Sequence, residues 1–137
     1  MADLVGQQLG QYQVLEQIGK GGMATVYRAW QPSVKRDVAV KVLRQHMSND
    51  DEFLRRFYHE VEIVASLQHP HILPVYDFGE HEGMPYVVMA YLSGGTLADY
   101  MLSVGALSLP DVYRLVKQIA DALDYAHKKI SSLPSTN

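Results

Sequence analysis

Tyr12-Gln13-Val14-Leu15-Glu16-Gln17-Ile18-Gly19-Lys20-Gly21-Gly22-Met23-Ala24-Thr25-Val26-Tyr27-Arg28-Ala29-Trp30 reads as two strands that meet at a glycine-rich tip. Pro32 ends the second strand, and Arg36-Asp37-Val38-Ala39-Val40-Lys41-Val42-Leu43 supplies a third, β-branched at every second position. Three strands in succession, with no helix between them, predict an antiparallel sheet. From Asp50 to about Leu67 the period becomes helical, with Phe53, Phe57, Val61 and Val64 on one face; Ser48 with Asp51, or Asn49 with Glu52, gives a capping-box start. His69-Pro70-His71 closes that helix, because a residue before proline is pushed out of the α region. Two more strands follow, 72–78 and 85–91, turning at Glu80-His81-Glu82-Gly83, which makes five. After Ser93-Gly94-Gly95 come a short helix from Thr96 to Met101 and a longer one capped by Ser108, with Pro110 in its first turn and an apolar face of Val112, Leu115, Val116, Ile119 and Leu123. The expected class is α+β: a polar leader at 1–11, strands and one helix over 12–92, two helices over 93–130 and a tail at 131–137.

Composition narrows the function classes. The 137 residues suffice for one domain, or one domain and part of a second. There is no cysteine, and the N-terminus has neither a basic leader nor an apolar run of signal-peptide length, so a reducing, cytoplasmic location is expected. No stretch approaches the roughly 18 to 20 apolar residues of a membrane span. The net charge of −3 is spread over interspersed acids and bases, which excludes tracking along a nucleic-acid backbone.

Phosphate recognition needs backbone N–H groups that can come close, and glycine removes the Cβ that would obstruct them. Gly19-Lys20-Gly21-Gly22 can do this, although the loop alone is equally an ordinary tight hairpin. Lys41 shares a strand face with Ala39, while Val38, Val40 and Val42 point the other way. Ala39 is small enough for a flat ring to lie beneath it, and Lys41 stands two residues further on, at a reach suited to phosphates; simple strand alternation with a solvated lysine fits as well. Glu60, beside the apolar stripe of the following helix, can turn inward to meet Lys41, or be solvated like most surface glutamates.

In this order and spacing the residues resemble the protein-kinase family, specifically the bacterial eukaryotic-like serine/threonine kinases. Ile18 to Tyr27 is similar to the nucleotide loop GxGxxGxV, with Ala24 where the third glycine usually stands. Val38-Ala39-Val40-Lys41 resembles the VAIK strand, Phe57-Tyr58-His59-Glu60 the helix-C segment with its paired glutamate, and His69-Pro70-His71-Ile72 the HPNI turn. Met89 falls at the gatekeeper position and Ala90-Tyr91-Leu92 at the hinge, followed by Gly94-Gly95-Thr96-Leu97. The resemblance runs from about Tyr12 to Lys128 and implies a kinase small lobe of five antiparallel strands with helix C, then helices D and E of an incomplete large lobe. It implies ATP as ligand, with Ile18 and Val26 around the adenine and Gly19, Lys20, Gly21, Gly22, Met23 and Ala24 forming the loop over the phosphates. Lys41 would lie on the α- and β-phosphates, positioned by Glu60, with Ala39, Met89 and the backbone of Ala90 and Leu92 completing the site.

In this family phosphoryl transfer also needs a catalytic-loop Asp, an Asn a few residues later and the Asp of the Asp-Phe-Gly motif, the last two holding Mg²⁺. None can be found in the chain: the long helix ends at Ala126-His127-Lys128-Lys129 and runs into Ile130-Ser131-Ser132-Leu133-Pro134-Ser135-Thr136-Asn137 instead. The chain alone is therefore expected to lack the catalytic base and the Mg²⁺ ligands. The face of helix 108–128 also lacks its large-lobe partner, at roughly 7 to 15 kcal/mol for five large aliphatic side chains. Self-association or exchange through that helix is expected, and the resemblance implies a possible kinase small-lobe dimer. Two functions remain: part of a serine/threonine kinase, or a non-catalytic module that binds nucleotide or another kinase.

Overall fold

The computed structural model describes residues 3–44 and 49–133. Its contacts separate two units, Met1–Ser66 with Pro74–Tyr91, and Leu67–Leu73 with Leu92–Asn137. The first contains six strands: β1 (Gln8–Leu9), β2 (Tyr12–Lys20), β3 (Ala24–Gln31), β4 (Arg36–Leu43), β5 (Val75–His81) and β6 (Met84–Ala90). They form one antiparallel sheet in the order β1-β2-β3-β4-β6-β5.

Alternation decides which face is core. Tyr12 and Val14, Tyr27 and Ala29, Val38, Val40 and Val42, and Tyr86 and Val88 lie on one side and are buried together with Leu4 and Leu9. Each fully buried valine of β4 stabilises by about 1.5–3 kcal/mol. The residues at 1–11 are therefore more than a polar leader: Leu4 and Leu9 cover the core, and β1 makes a sixth strand. Two residues are too few to show a period of two. At the far edge Glu82 and Gly83, both at positive φ, make the two-residue turn between β5 and β6, which pairs His81 with Met84. That register starts β5 at Val75, three residues later than the sequence pattern gives.

The sheet curls until its ends meet. The Tyr12 hydroxyl on β2 donates to Asp77 Oδ2 on β5 at 2.8 Å, although β3, β4 and β6 lie between them in the sheet order. Beside this bond the Tyr86 ring covers Gly10 and Gly79, where an added Cβ would lie 2.9 and 2.6 Å from the Tyr86 Oη. Burial, then the bond to Asp77, pushes the Tyr12 hydroxyl up to about 12.

The helix of this unit, α1 (Asp51–Ala65), is capped by Asp50, whose Oδ1 accepts from the N–H groups of Glu52 and Phe53, each at 3.1 Å. The cap is thus neither of the two expected: Asn49 is displaced by Asp50, which has the extended backbone a cap needs, and Ser48 lies outside the described residues. Tyr58 of α1 packs on Phe78 of β5, ring centroids 6.1 Å apart.

In the second unit α2 (Leu97–Val104) begins with a full capping box between Thr96 and Asp99, which holds the Asp99 carboxyl below its ordinary range through the Thr96 backbone N–H. Helix α3 (Leu109–Ser131) starts at Ser108 with Pro110 in its first turn and runs slightly further than the sequence suggests, into the expected tail, of which 134–137 lie outside the described residues. Tyr125 of α3 accepts the Gln68 N–H at 2.9 Å, and its ring lies 5.2 Å from His69, so 67–73 groups with the helices. Val112, Val116, Ile119 and Leu123 are exposed and Leu115 is half-buried; among the described residues of α3 only Ala122 is buried. No helix of the described residues is long and apolar enough to cross a membrane.

Candidate functional site

The face of the sheet opposite the core carries most of the site residues read from sequence. Strand register sets Val26 beside Lys41 and Lys41 beside Val87, and in the next row Arg28 beside Ala39 and Ala39 beside Met89. Gly19 pairs with Val26 and Ala24 with Leu43, so the root of the glycine tip extends the same surface. A register shift between Gln17 and Gly19 leaves Ile18 as the extra residue of a bulge, 44% exposed. Arg28 fixes this surface across three strands: its Nε is 2.8 Å from Glu16 on β2, and its Nη1 is 3.3 Å from Asp37 on β4.

At the tip, the Gly21 N–H donates to the Ala24 carbonyl and the Arg44 N–H to the Met23 carbonyl, each at 2.9 Å, which ties the hairpin end to β4. Lys20, Gly21, Gly22 and Met23 are exposed and Ala24 is buried. The fold does not need the glycines here. Gly19, Gly21 and Gly22 all have negative φ, a Cβ on Gly19 or Gly21 would meet only ordinary contacts at 3.7 and 3.8 Å, and one on Gly22 would meet nothing within 4 Å. What the missing side chains leave is clearance above an open backbone.

Lys41 and Glu60 are brought to one pocket of about 240 Å³, lined also by Met23, Leu43, Phe53, Arg56 and Phe57. Among the described residues they form no ion pair within 4.0 Å, and both are exposed. Leu43, Phe53 and Arg56 join the pocket in addition to the site residues expected from sequence, and Phe57 enters it from the expected helix-C segment. The signal was spacing: Leu43 is two residues beyond Lys41 on a strand, and Arg56 stands four before Glu60 on a helix. Met89 and Ala90 are half-buried, and the Ala90 N–H donates to the Pro74 carbonyl at 3.0 Å. Leu92 belongs to the second unit.

Metal chemistry was tied in the sequence reading to an absent Asp-Phe-Gly, yet that tripeptide does occur, as Asp77-Phe78-Gly79. All three residues are spent on the strand. Asp77 accepts from Tyr12 and from the Phe78 N–H at 2.9 Å, Phe78 packs on Tyr58, and Gly79 lies under Tyr86. Among the described residues no group of three or more His, Cys, Asp or Glu is placed to hold a metal ion by itself.

The sequence profile of the family described as "Protein kinase domain" matches residues 12–131. This chain belongs to the protein kinase domain family. The kinase chain is 42% identical over 126 residues to serine/threonine-protein kinase PrkC of Bacillus subtilis, covering 91% of the chain and 19% of that protein. It is 41% identical over 128 residues to the probable serine/threonine-protein kinase PknB of Bifidobacterium longum, covering 87% of the chain and 19% of the relative. Among solved structures it is similar to the Mycobacterium tuberculosis PknI kinase domain, with a TM-score of 0.79 and 38% identity, covering 93% of the chain and 52% of that domain. The kinase chain thus spans about a fifth of the curated relatives and about half of the crystallised domain. The α+β fold is that of a kinase small lobe plus helices, with six strands and three helices in place of the five strands expected.

Proposed function

We propose that this chain is the ATP-binding portion of a serine/threonine protein kinase, and that these 137 residues alone do not transfer phosphate. One observation carries the reading: three glycines that the fold does not require stand at the edge of the sheet face bearing Ala39, Lys41 and Met89. In this reading the adenine lies against Ile18, Val26, Ala39 and Met89 and is met by the backbone of Ala90 and Leu92. The loop from Gly19 to Ala24 covers the phosphates, and Lys41 binds them with Glu60 as its positioning partner. ATP supplies the transferable phosphoryl group, and the inactivity is proposed from the sequence, in which no catalytic-loop Asp follows the long helix. A cytoplasmic location and the small-lobe boundary at 92 belong to the same proposal.

Thermal melting with ATP and Mg²⁺ tests it. Wild type should gain about 1.4 kcal/mol at ten times the dissociation constant, and Lys41→Ala should lose that gain. No shift in either protein would remove the nucleotide site, and radiolabel transfer by the purified chain would overturn the inactivity. A non-catalytic module acting by association is favoured by one feature, the exposed apolar face of α3. A saturable complex with an intact kinase, retained in Lys41→Ala, would select that reading.

A further inference from the structure

Two irregularities interrupt the pairing of β2 with β3, one on each side of Glu16 and Gln17. Val14 pairs with Ala29 and Glu16 with Arg28, so Leu15 is extra; Gln17 pairs with Tyr27 and Gly19 with Val26, so Ile18 is extra. A bulge re-aims the residues that follow it, and moving it by one position turns a side chain to the other face of the sheet. The aim of Gly19, and with it the root of the glycine tip, therefore depends on what keeps Glu16 opposite Arg28.

Arg28 does this with two arms of its guanidinium. Its Nε donates to Glu16 Oε1 on β2 at 2.8 Å, and its Nη1 donates to Asp37 Oδ1 on β4 at 3.3 Å. Among the described residues, the bond to Glu16 is the only side-chain bond that joins β2 to β3. Asp37 anchors the other arm on a strand whose pairing with β3 is unbroken from Ala24 to Gln31. A planar fork held by two carboxylates is fixed in direction as well as in place. The regular strand thus sets the register of the irregular one. Arg28 stands directly opposite Ala39, on the face proposed for the nucleotide. We infer that Arg28 is a positioning residue: clasped between Glu16 and Asp37, it pins β2 between its two bulges and so holds Ile18 and the loop at 19–24 over the nucleotide. The consequence for ATP rests on the proposed nucleotide site, whereas the pinning does not.

Amide hydrogen exchange of the full chain reads the pinning without any ligand, and calorimetric titration with ATP and Mg²⁺ reads its consequence. Arg28→Met and Glu16→Gln should each speed exchange over 16–20 by about two- to fivefold, with β4 unchanged, and each should weaken ATP by a similar factor. These two variants alter the net charge in opposite directions, so a residue that merely attracted phosphate would make them act oppositely on ATP affinity. Arg28→Lys, which keeps the charge and loses the fork, should recover part of both effects. Unchanged exchange over 16–20, or a rise shared equally by β4 with a lowered melting temperature, would overturn the pinning. Opposite changes in ATP affinity would reduce Arg28 to a charge and overturn its positioning role. If wild type binds no ATP while the exchange contrast holds, the nucleotide site falls with the consequence drawn from it, and the pinning stands.

Discussion

Gly21 and Gly79 are glycines for opposite reasons. A Cβ on Gly79 would lie 2.6 Å from the Oη and 2.8 Å from the Cζ of Tyr86, a buried ring held between two strands, so Gly79→Ala should cost about 1–3 kcal/mol in chemical denaturation. A Cβ on Gly21 meets only the Ala24 carbonyl at 3.8 Å, so Gly21→Ala should leave stability unchanged or raise it by up to about 1 kcal/mol, while weakening ATP several-fold in titration. If Gly21→Ala unfolds the hairpin instead, the glycine serves the fold, and its part in the proposed site falls. At this scale the sequence was informative where chemistry is tied to backbone spacing: Lys41, Ala39 and Val26 share a face because strands alternate. It was silent on Arg56, an ordinary helix cation until α1 is set against β4. It gave Asp77 and Phe78 only as strand residues, since three letters do not reveal whether an aspartate faces a metal or a tyrosine.

Among the elements, the bond between β2 and β5 should govern alkaline stability. The Tyr12 hydroxyl is raised from 10.0 to about 12, chiefly by burial and then by Asp77. A raised pKa means that the folded chain keeps a proton the unfolded chain has already released. Its contribution is therefore whole below pH 10 and is lost between pH 10 and about 12. Tyr12→Phe should cost about 1 kcal/mol at neutral pH and flatten the fall above pH 10 in denaturant titrations. Tyr27, Tyr58 and Tyr86, each also raised by burial, should keep a residual slope. An unchanged slope in Tyr12→Phe would mean that the bond to Asp77 is immaterial. The elements most readable in the sequence were those with long periods, β4 and α3. Those set by tertiary contacts were not: β1 exists because β2 pairs with it, and β5 begins where the Glu82-Gly83 turn puts it in register with β6.

For the molecule as a whole, we propose that the exposed apolar residues of α3 drive self-association of this chain. Val116, Ile119 and Leu123 are 58, 54 and 53% exposed, and burying each more fully is worth up to about 1.5–3 kcal/mol. Sedimentation should therefore find concentration-dependent self-association, and Ile119→Glu with Leu123→Glu should shift the chain toward monomer with its helical circular dichroism kept. A wild-type chain that stays monodisperse and monomeric with α3 folded would end this proposal. The division into strands and helices could be read from periodicity, but the membership of 67–73 could not, because it depends on the contact of Gln68 and His69 with Tyr125, more than fifty residues away. Tyr12 and Asp77 raise the same matter of distance in time. A ribosome adding about 5–20 residues per second takes roughly 3 to 13 s to cover the 65 positions between them. Throughout that interval Leu4, Leu9 and Tyr12 have no finished sheet to close over them, so this apolar segment of the nascent chain stays uncovered until β5 and β6 emerge.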